Sequence, residues 1–388
     1  MKVMMVLSRV PYPLNKGDKL RAYHMLRHIC RNHQVYLFCI SDQPVPFDVK
    51  EHLNSFCAET HFYTISKHES LLNCTRAVFQ KTPFQVAYFY KKDIHNSICR
   101  HAEQIKPDVA FFQLIRTAEY ATNVVAPVKV LDYMDAFSTG YERMAAKSST
   151  LMHFLYKIES SRLKKYENAV FSRFNKHLII SEQDKNLIPH KNKGQIQVIH
   201  NGVDTGYFSP RPHTQKYDLL FHGNMNYLPN VDCACYIAEN IIPALVKRGR
   251  KVSFLVSGSS PDKRVLALAR NSNITVTGWV DDVRSSYATA TIFIAPLQMG
   301  TGIQNKILEA MAMGLPCVVS PLAANALGLI HNEHVLIGNT TEEYCNHIEQ
   351  LWNDKSLKEK LVNNALQYTK NSFRWDDETE KMMQYMAN

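Results

Sequence analysis

Short, continuous apolar runs alternate along the chain with segments whose apolar residues recur at helical spacing. The first series is KVMMVLS, a helical stretch over 18–31, QVYLFCI, and later DVAFFQ, KVLDYM and KHLIIS. A strand covered on both faces loses the inside-outside alternation, so such runs separated by helices predict βα units on a parallel sheet. A second series repeats the pattern in YDLLFHG, VSFLVSG, ITVTG, TIFIAP and PCVVS. The pattern therefore predicts two doubly wound α/β domains. Between them lies IQVIHNGVDTGYFSPRP, where a strand meets Asn201-Gly202, a pair that suggests a left-handed turn, and Pro210 and Pro212 cannot continue regular structure. The expected bounds are 1–199 for the first domain, 200–216 for a linker and 217–370 for the second domain. A last helix, 371–388, with Ser372 or Asp376 near its start, is expected to pack back on the first domain.

A length of 388 residues suits two such domains, and 45% hydrophobic with 21% charged residues excludes wholesale disorder and a membrane bundle. The opening MKVMMVLSRVPYP is too short in its apolar run for a spanning helix or signal peptide, so a cytoplasmic protein is expected. Nine cysteines without a CxxC pair fit a reducing compartment, and Cys233 with Cys235 read as core residues. The net charge of +10 attracts anions of any kind. No zinc-ligand spacing and no ribonucleoprotein signature accompanies it, so no nucleic-acid partner is expected.

The stretch APLQMGTGIQNKILEAMAMGLPCVVS carries the most chemistry. Gly300 and Gly302 permit close backbone approach, a helix is predicted from near Ile303, and Gly314 with Pro316 stops it. Free amides and the positive end of the helix dipole suit an anion such as a pyrophosphate. Lys306 and Glu309, three apart, share a face of that helix. Two readings are open for them: an intrahelical ion pair, or a partly buried pair serving a ligand.

These motifs resemble those of the GT-B glycosyltransferases, in particular the retaining family numbered four, over nearly the whole chain. The motifs in order are HNGVDxxxF at 200–208, LVSGSSP at 255–261, VTGWVDDV at 276–283 and GTGIQNKILEAMAMGLPCVV at 300–319. VPYPLNKGDKLRAYHMLRHI at 10–29 and FHGNMNYLPNVD at 221–232 are similar to a bacterial subgroup of exopolysaccharide sugar transferases. The resemblance implies two Rossmann-like domains facing a central cleft, the second binding a nucleotide-diphosphate sugar, and transfer to a glycan or lipid-linked acceptor in envelope glycan synthesis. It implies retention, with a leaving-group phosphate oxygen taking the acceptor's proton.

Carried over residue by residue, Glu309 corresponds to the glutamate that accepts from the donor's ribose hydroxyls. Gly223, Asn224, Gly258, Gly300, Gly302 and Ile303 fall at donor-binding positions. Trp279 and Val280 fall where the nucleobase is met, and the indole either stacks on the base or is an ordinary tryptophan. Three departures stand out: Thr301 replaces a glutamate beside the donor sugar, Asn224-Met225-Asn226 replaces a basic pair on the pyrophosphate, and Met134 replaces a histidine before Asp135. Lys306 is the expected substitute cation, with Gly17, Lys19 and Arg21 as cleft candidates of the first domain. Lys19 and Arg21 read equally as a solvated helical turn, and Asp135 reads either as catalytic or as a helix cap at a strand end. The chain has no Asp-x-Asp triplet, so no essential metal and no cofactor beyond the donor is expected.

Two alternatives stand beside this: a nucleotide-sugar epimerase of this architecture, which calls for catalytic carboxylates and a cleft histidine that the sequence does not identify, and a non-catalytic sugar-nucleotide-binding accessory protein, suggested by Thr301 and Met134 in place of the expected groups. One more segment stands apart. From Arg143 to Lys176 there are eight Lys or Arg against two Glu, interleaved with Leu151, Met152, Phe154, Leu155, Tyr156 and Ile158. It reads either as a core helix with a basic outer face or as a helix lying on an anionic membrane surface.

Overall fold

A computed structural model of the chain describes residues 1–146, 148, 150–212, 214–299 and 303–387, Thr150 by its backbone alone. Its contacts divide the chain into two units, Met1–His200 with Trp375–Asn388, and Asn201–Arg374. The expected linker, apart from His200, thus falls in the second unit. Gly202 is not left-handed, as the Asn-Gly pair had suggested; instead the Asn201 amide donates to Asn305 Oδ1 at 3.1 Å.

The first unit holds strands β1 (Lys2–Leu7), β2 (Gln34–Ser41), β3 (Glu59–Thr64), β4 (Val109–Gln113), β5 (Val128–Asp132), β6 (Lys176–Ile179) and β7 (Gln197–Val198). They form one parallel sheet in the order β3-β2-β1-β4-β5-β6-β7. β1 is buried from Val3 to Leu7 because helices cover both faces: Met4 and Val6 enter one apolar cluster, Val3, Met5 and Leu7 the other. The second cluster takes in Ala22, Met25, Leu26 and Ile29 of the helix Gly17–Ile29. It also takes Met382, Met383 and Met386 of the final helix, Trp375–Ala387, whose Trp375 ring stacks on His24 at 4.7 Å. Ser372 lies at the end of the preceding helix, Lys355–Ser372, and does not start the last one.

The second unit holds β8 (Tyr217–His222), β9 (Phe254–Ser257), β10 (Ile274–Gly278), β11 (Ala290–Ala295), β12 (Cys317–Val319) and β13 (Leu336–Ile337). Their parallel order is β10-β9-β8-β11-β12-β13. From β8 the chain winds outward to β9 and β10, then crosses back to β11, so the order reverses between β8 and β11. In open α/β sheets that reversal leaves a crevice beyond the carboxyl ends of the strands. Both units together make the GT-B fold. Two strands had no counterpart in the apolar pattern: β13, two residues long, and β3, an edge strand whose sequence ETHFYT is largely polar.

Candidate functional site

At the reversal in the second unit, three strand ends are laced by backbone. Gly223 N donates to Ser257 O at 3.1 Å, Met225 N to Ser259 O at 2.8 Å, and Gly258 N to Gly278 O at 3.0 Å. The approach leaves no room for side chains: Gly258 has φ +136°, and a Cβ there would lie 1.7 Å from Gly223 O. A Cβ on Gly223 would meet the Asn230 amide at 2.8 Å. Asn224 shapes the turn between them. Its side chain accepts from Asn226 N at 3.0 Å, and its carbonyl accepts from Asn230 Nδ2 at 2.9 Å.

Beyond β11 comes the helix Asn305–Ala312, two residues later than expected. Ile307, Leu308, Ala310 and Met311 are buried, which leaves Lys306 and Glu309 together on the remaining face. The two do not form the intrahelical ion pair. Lys306 Nζ donates to Asn230 Oδ1 at 2.6 Å and to Gln304 Oε1 at 3.2 Å, and lies 5.3 Å from the Phe221 ring centre. Glu309 Oε2 accepts from Tyr287 Oη at 2.8 Å. Burial pushes the Lys306 amine down to about 8, against the pull of Cys233 and Glu309. Burial pushes the Glu309 carboxyl above its ordinary value, opposed by Tyr287 and Lys306. At the end of β8, His222 is desolvated and sits near the Lys306 charge, which brings its pKa down to about 4 and keeps it neutral. Its Nδ1 is buried without a hydrogen-bond partner among the described residues.

The result is a cation that, among the described residues, is hydrogen-bonded to neutral amide oxygens, beside a carboxylate and a neutral imidazole, at the carboxyl ends of β8 and β11. Chemically it can neutralise an anion and accept from a diol. Asn230, Tyr287 and His222 were not singled out from the sequence. The one signal was Asn230, a polar residue inside the apolar helical stretch LPNVDCACY. Ile303 is buried, Val280 half-buried, and Trp279 stands 61% exposed with its Nε1 3.3 Å from Asp281 Oδ1. Gly300, Thr301 and Gly302 lie outside the described residues.

In the first unit, Arg21 is not a cleft cation. Its side chain and that of Asp132 are both 0% exposed; Nε donates to Asp132 Oδ2 at 2.7 Å and Nη1 to Ile199 O at 2.8 Å. The pair ties the helix Gly17–Ile29 to the ends of β5 and β7. Lys19 is half-buried, its amine pushed down by burial and by Lys16, and Gly17 packs near Met134 Cε. Asp135 directly follows Met134, a non-glycine residue at φ 65°, and Arg116 stands two residues after Leu114, also at φ 65°. Left-handed residues after two adjacent strands are strained backbone, which clusters at functional sites. Asp135 Oδ1 and Arg116 Nη1 are both buried without hydrogen-bond partners among the described residues. Burial, then Asp184, raises the Asp135 carboxyl well above the ordinary range. Arg116 lies between the rings of Phe89 and Phe137, and burial with the Arg9 charge brings its pKa down to about 10. Arg116 was missed because its surroundings come from distant segments.

Residues 216–354 match the family model described as glycosyl transferases group 1. A Klebsiella pneumoniae protein, the uncharacterized 44.6 kDa protein in the cps region, is 20% identical over 96% of both chains. The Escherichia coli UDP-Gal:α-D-GlcNAc-diphosphoundecaprenol α-1,3-galactosyltransferase is 27% identical over 44% of this chain and 50% of its own. Among solved structures, HepE of Anabaena in complex with UDP superposes with TM-score 0.72 at 13% identity over the full length of both chains. The family match and these relatives support a glycosyltransferase, and the matched segment contains Asn230, Tyr287, Lys306 and Glu309.

Proposed function

We propose that this chain transfers a sugar from a nucleotide-diphosphate sugar to an acceptor hydroxyl, with retention, in the synthesis of a capsular or related envelope glycan. The observation that carries the reading is Lys306, a cation held by the amide oxygens of Asn230 and Gln304 at the start of a helix, at the point where the strand order reverses. A desolvated diphosphate needs positive charge there, most of all as the leaving group forms. Lys306 and the helix start supply it without a divalent metal. Glu309 accepts from the ribose hydroxyls, Trp279 and Val280 meet the base, and Gly223, Asn224, Gly258, Gly300, Gly302 and Ile303 frame the donor. Thr301 bonds the donor sugar. Asp135, whose carboxyl burial raises well above the ordinary range, is the catalytic candidate of the first unit. Relatives bear the names of a UDP-galactose enzyme and of a protein in a cps region, which support the donor class and the glycan pathway. The reading is tested by measuring nucleoside diphosphate release from a panel of nucleotide sugars with wild type and Lys306→Met.

The acceptor is lipid-linked, and the protein works at the inner face of the cytoplasmic membrane as a peripheral protein. No described helix is long and apolar enough to cross a membrane. The helix Thr150–Val170 supports this reading by its exposed side chains. One face is core, with Leu163 and Val170 buried, and the carboxylates Glu159 and Glu167 are buried too, while Lys157, Lys164 and Lys165 stand exposed. Leu151, Phe154 and Leu155 are exposed beside them, and Arg162 bonds to carbonyls at the end of the helix Lys67–Gln80, which exposes Leu71, Val78 and Phe79. Cations beside exposed apolar side chains suit an anionic lipid surface.

A further inference from the structure

The edge of the first unit's sheet carries a cluster that the transfer reaction does not use. Among the described residues β3 pairs only with β2, and Glu59, His61 and Tyr63 alternate onto one of its faces. The helix Lys92–Ile105 covers that face: Ser97 Oγ lies 3.0 Å from Tyr63 Oη, and His101 follows one turn later on the same side. The His61 and His101 rings are 4.1 Å apart, and Glu59 Oε1 lies 2.9 Å from His61 Nε2. One ligand atom from each of the three residues lies within 4.8 Å of the others.

Two details separate this from a chance grouping. His61 Nε2 is buried yet makes no hydrogen bond of acceptable geometry among the described residues. His101 Nδ1 lies 2.8 Å from the Ser97 carbonyl, to which it donates, so its Nε2 keeps a free lone pair. A backbone carbonyl on the far nitrogen is the usual way a metal-binding imidazole is oriented.

We propose that Glu59, His61 and His101 bind a borderline divalent cation of the zinc class, with water in the fourth position. Zinc-ligand bonds of about 2.0–2.2 Å put tetrahedral ligand atoms about 3.4 Å apart, so the Glu59–His61 pair at 2.9 Å must open by about 0.5 Å and the wider separations, all within 4.8 Å, must close by up to about 1.4 Å. Glu59 is exposed on the edge strand and has the rotatable bonds to do so. The ion joins the outermost strand to the helix that covers it and takes no part in sugar transfer.

The test is to titrate Co²⁺ into EDTA-treated, fully reduced protein and record the visible spectrum, with zinc content after dialysis and thermal midpoints with and without Zn²⁺. The proposal expects one equivalent per chain, d–d bands without thiolate charge transfer, and a midpoint raised by Zn²⁺. Glu59→Gln and His101→Gln, both partly exposed sites, should keep the circular dichroism spectrum and lose affinity by at least about tenfold. Thiolate bands, no binding by wild type at micromolar Zn²⁺, or equal binding by the double variant would each overturn it.

Discussion

Lys306 is bonded to Asn230 and not to Glu309: its Nζ lies 2.6 Å from Asn230 Oδ1, and the carboxylate one helical turn away is held by Tyr287. A neutral partner fixes the amine in place without cancelling its charge. That charge is then available to a ligand.

Asn230→Asp exchanges the neutral acceptor for a carboxylate of the same shape. It should return the Lys306 pKa towards the ordinary range while weakening donor affinity by about tenfold, because the new ion pair competes with the diphosphate. Calorimetry with the nucleotide that wild type binds best checks this, and unchanged affinity would count against a diphosphate beside Lys306.

The lowered Lys306 pKa sets two opposite pH trends. Donor affinity should fall as pH rises through about 8, where the free amine loses its proton. Stability should move the other way. The folded value lies below the ordinary 10.5, so the unfolded chain binds more protons between the two, and this group's cost to the fold is relieved as pH rises from about 8 to 10.5. Titrations from pH 7 to 9.5 with wild type and Lys306→Met test both, the variant being expected to lose the affinity trend.

Glu309→Gln keeps the bond from Tyr287 and removes a charged acceptor. Nucleotide affinity should fall by about 1.5–3 kcal/mol, with the thermal midpoint little changed. A 2′,3′-dideoxy nucleotide should bind wild type and variant alike; a difference as large as that for the ribonucleotide would remove the ribose assignment.

Asp132→Ala should destabilise the fold by about 3–5 kcal/mol, since it removes the carboxylate that compensates the buried Arg21 guanidinium. Lys19→Ala should cost far less. Denaturant midpoints compare them, and equal effects would contradict a structural role for Arg21.

The βα alternation was legible because strands covered on both faces read as unbroken apolar runs, as in Lys2–Leu7. β3 was not, because an edge strand half-covered by a helix keeps polar residues such as Thr60 and His61. Lys306 and Glu309 were legible as a shared helix face, but the partners that define them were not. Asn230 stands 76 positions from Lys306, and Tyr287 stands 22 from Glu309. Arg21 read as a cation on a first helical turn; its partner Asp132 is 111 positions away, so burial could not be read locally. Asp135 is singled out by its place at a strand end, whereas Arg116 is defined by Gln85, Phe89 and Phe137 from separate segments.

Lys164→Glu with Lys165→Glu should abolish sedimentation with vesicles containing anionic lipid and leave nucleotide affinity unchanged, since these side chains are exposed on a helix of the other unit. Salt should release wild type as screening shortens the reach of the charges. Equal sedimentation with neutral vesicles would contradict the electrostatic part.

The most direct test of the whole account is nucleoside diphosphate release from a panel of nucleotide-diphosphate sugars, measured for wild type and Lys306→Met with product analysis. The account expects wild type to release the diphosphate from at least one donor, with the sugar transferred to acceptor or water. It expects Lys306→Met to lower that turnover by about a hundredfold or more while binding the donor less than tenfold more weakly. Tight donor binding by wild type with no release, release of an epimerised sugar in place of transfer, or equal turnover by Lys306→Met would contradict it.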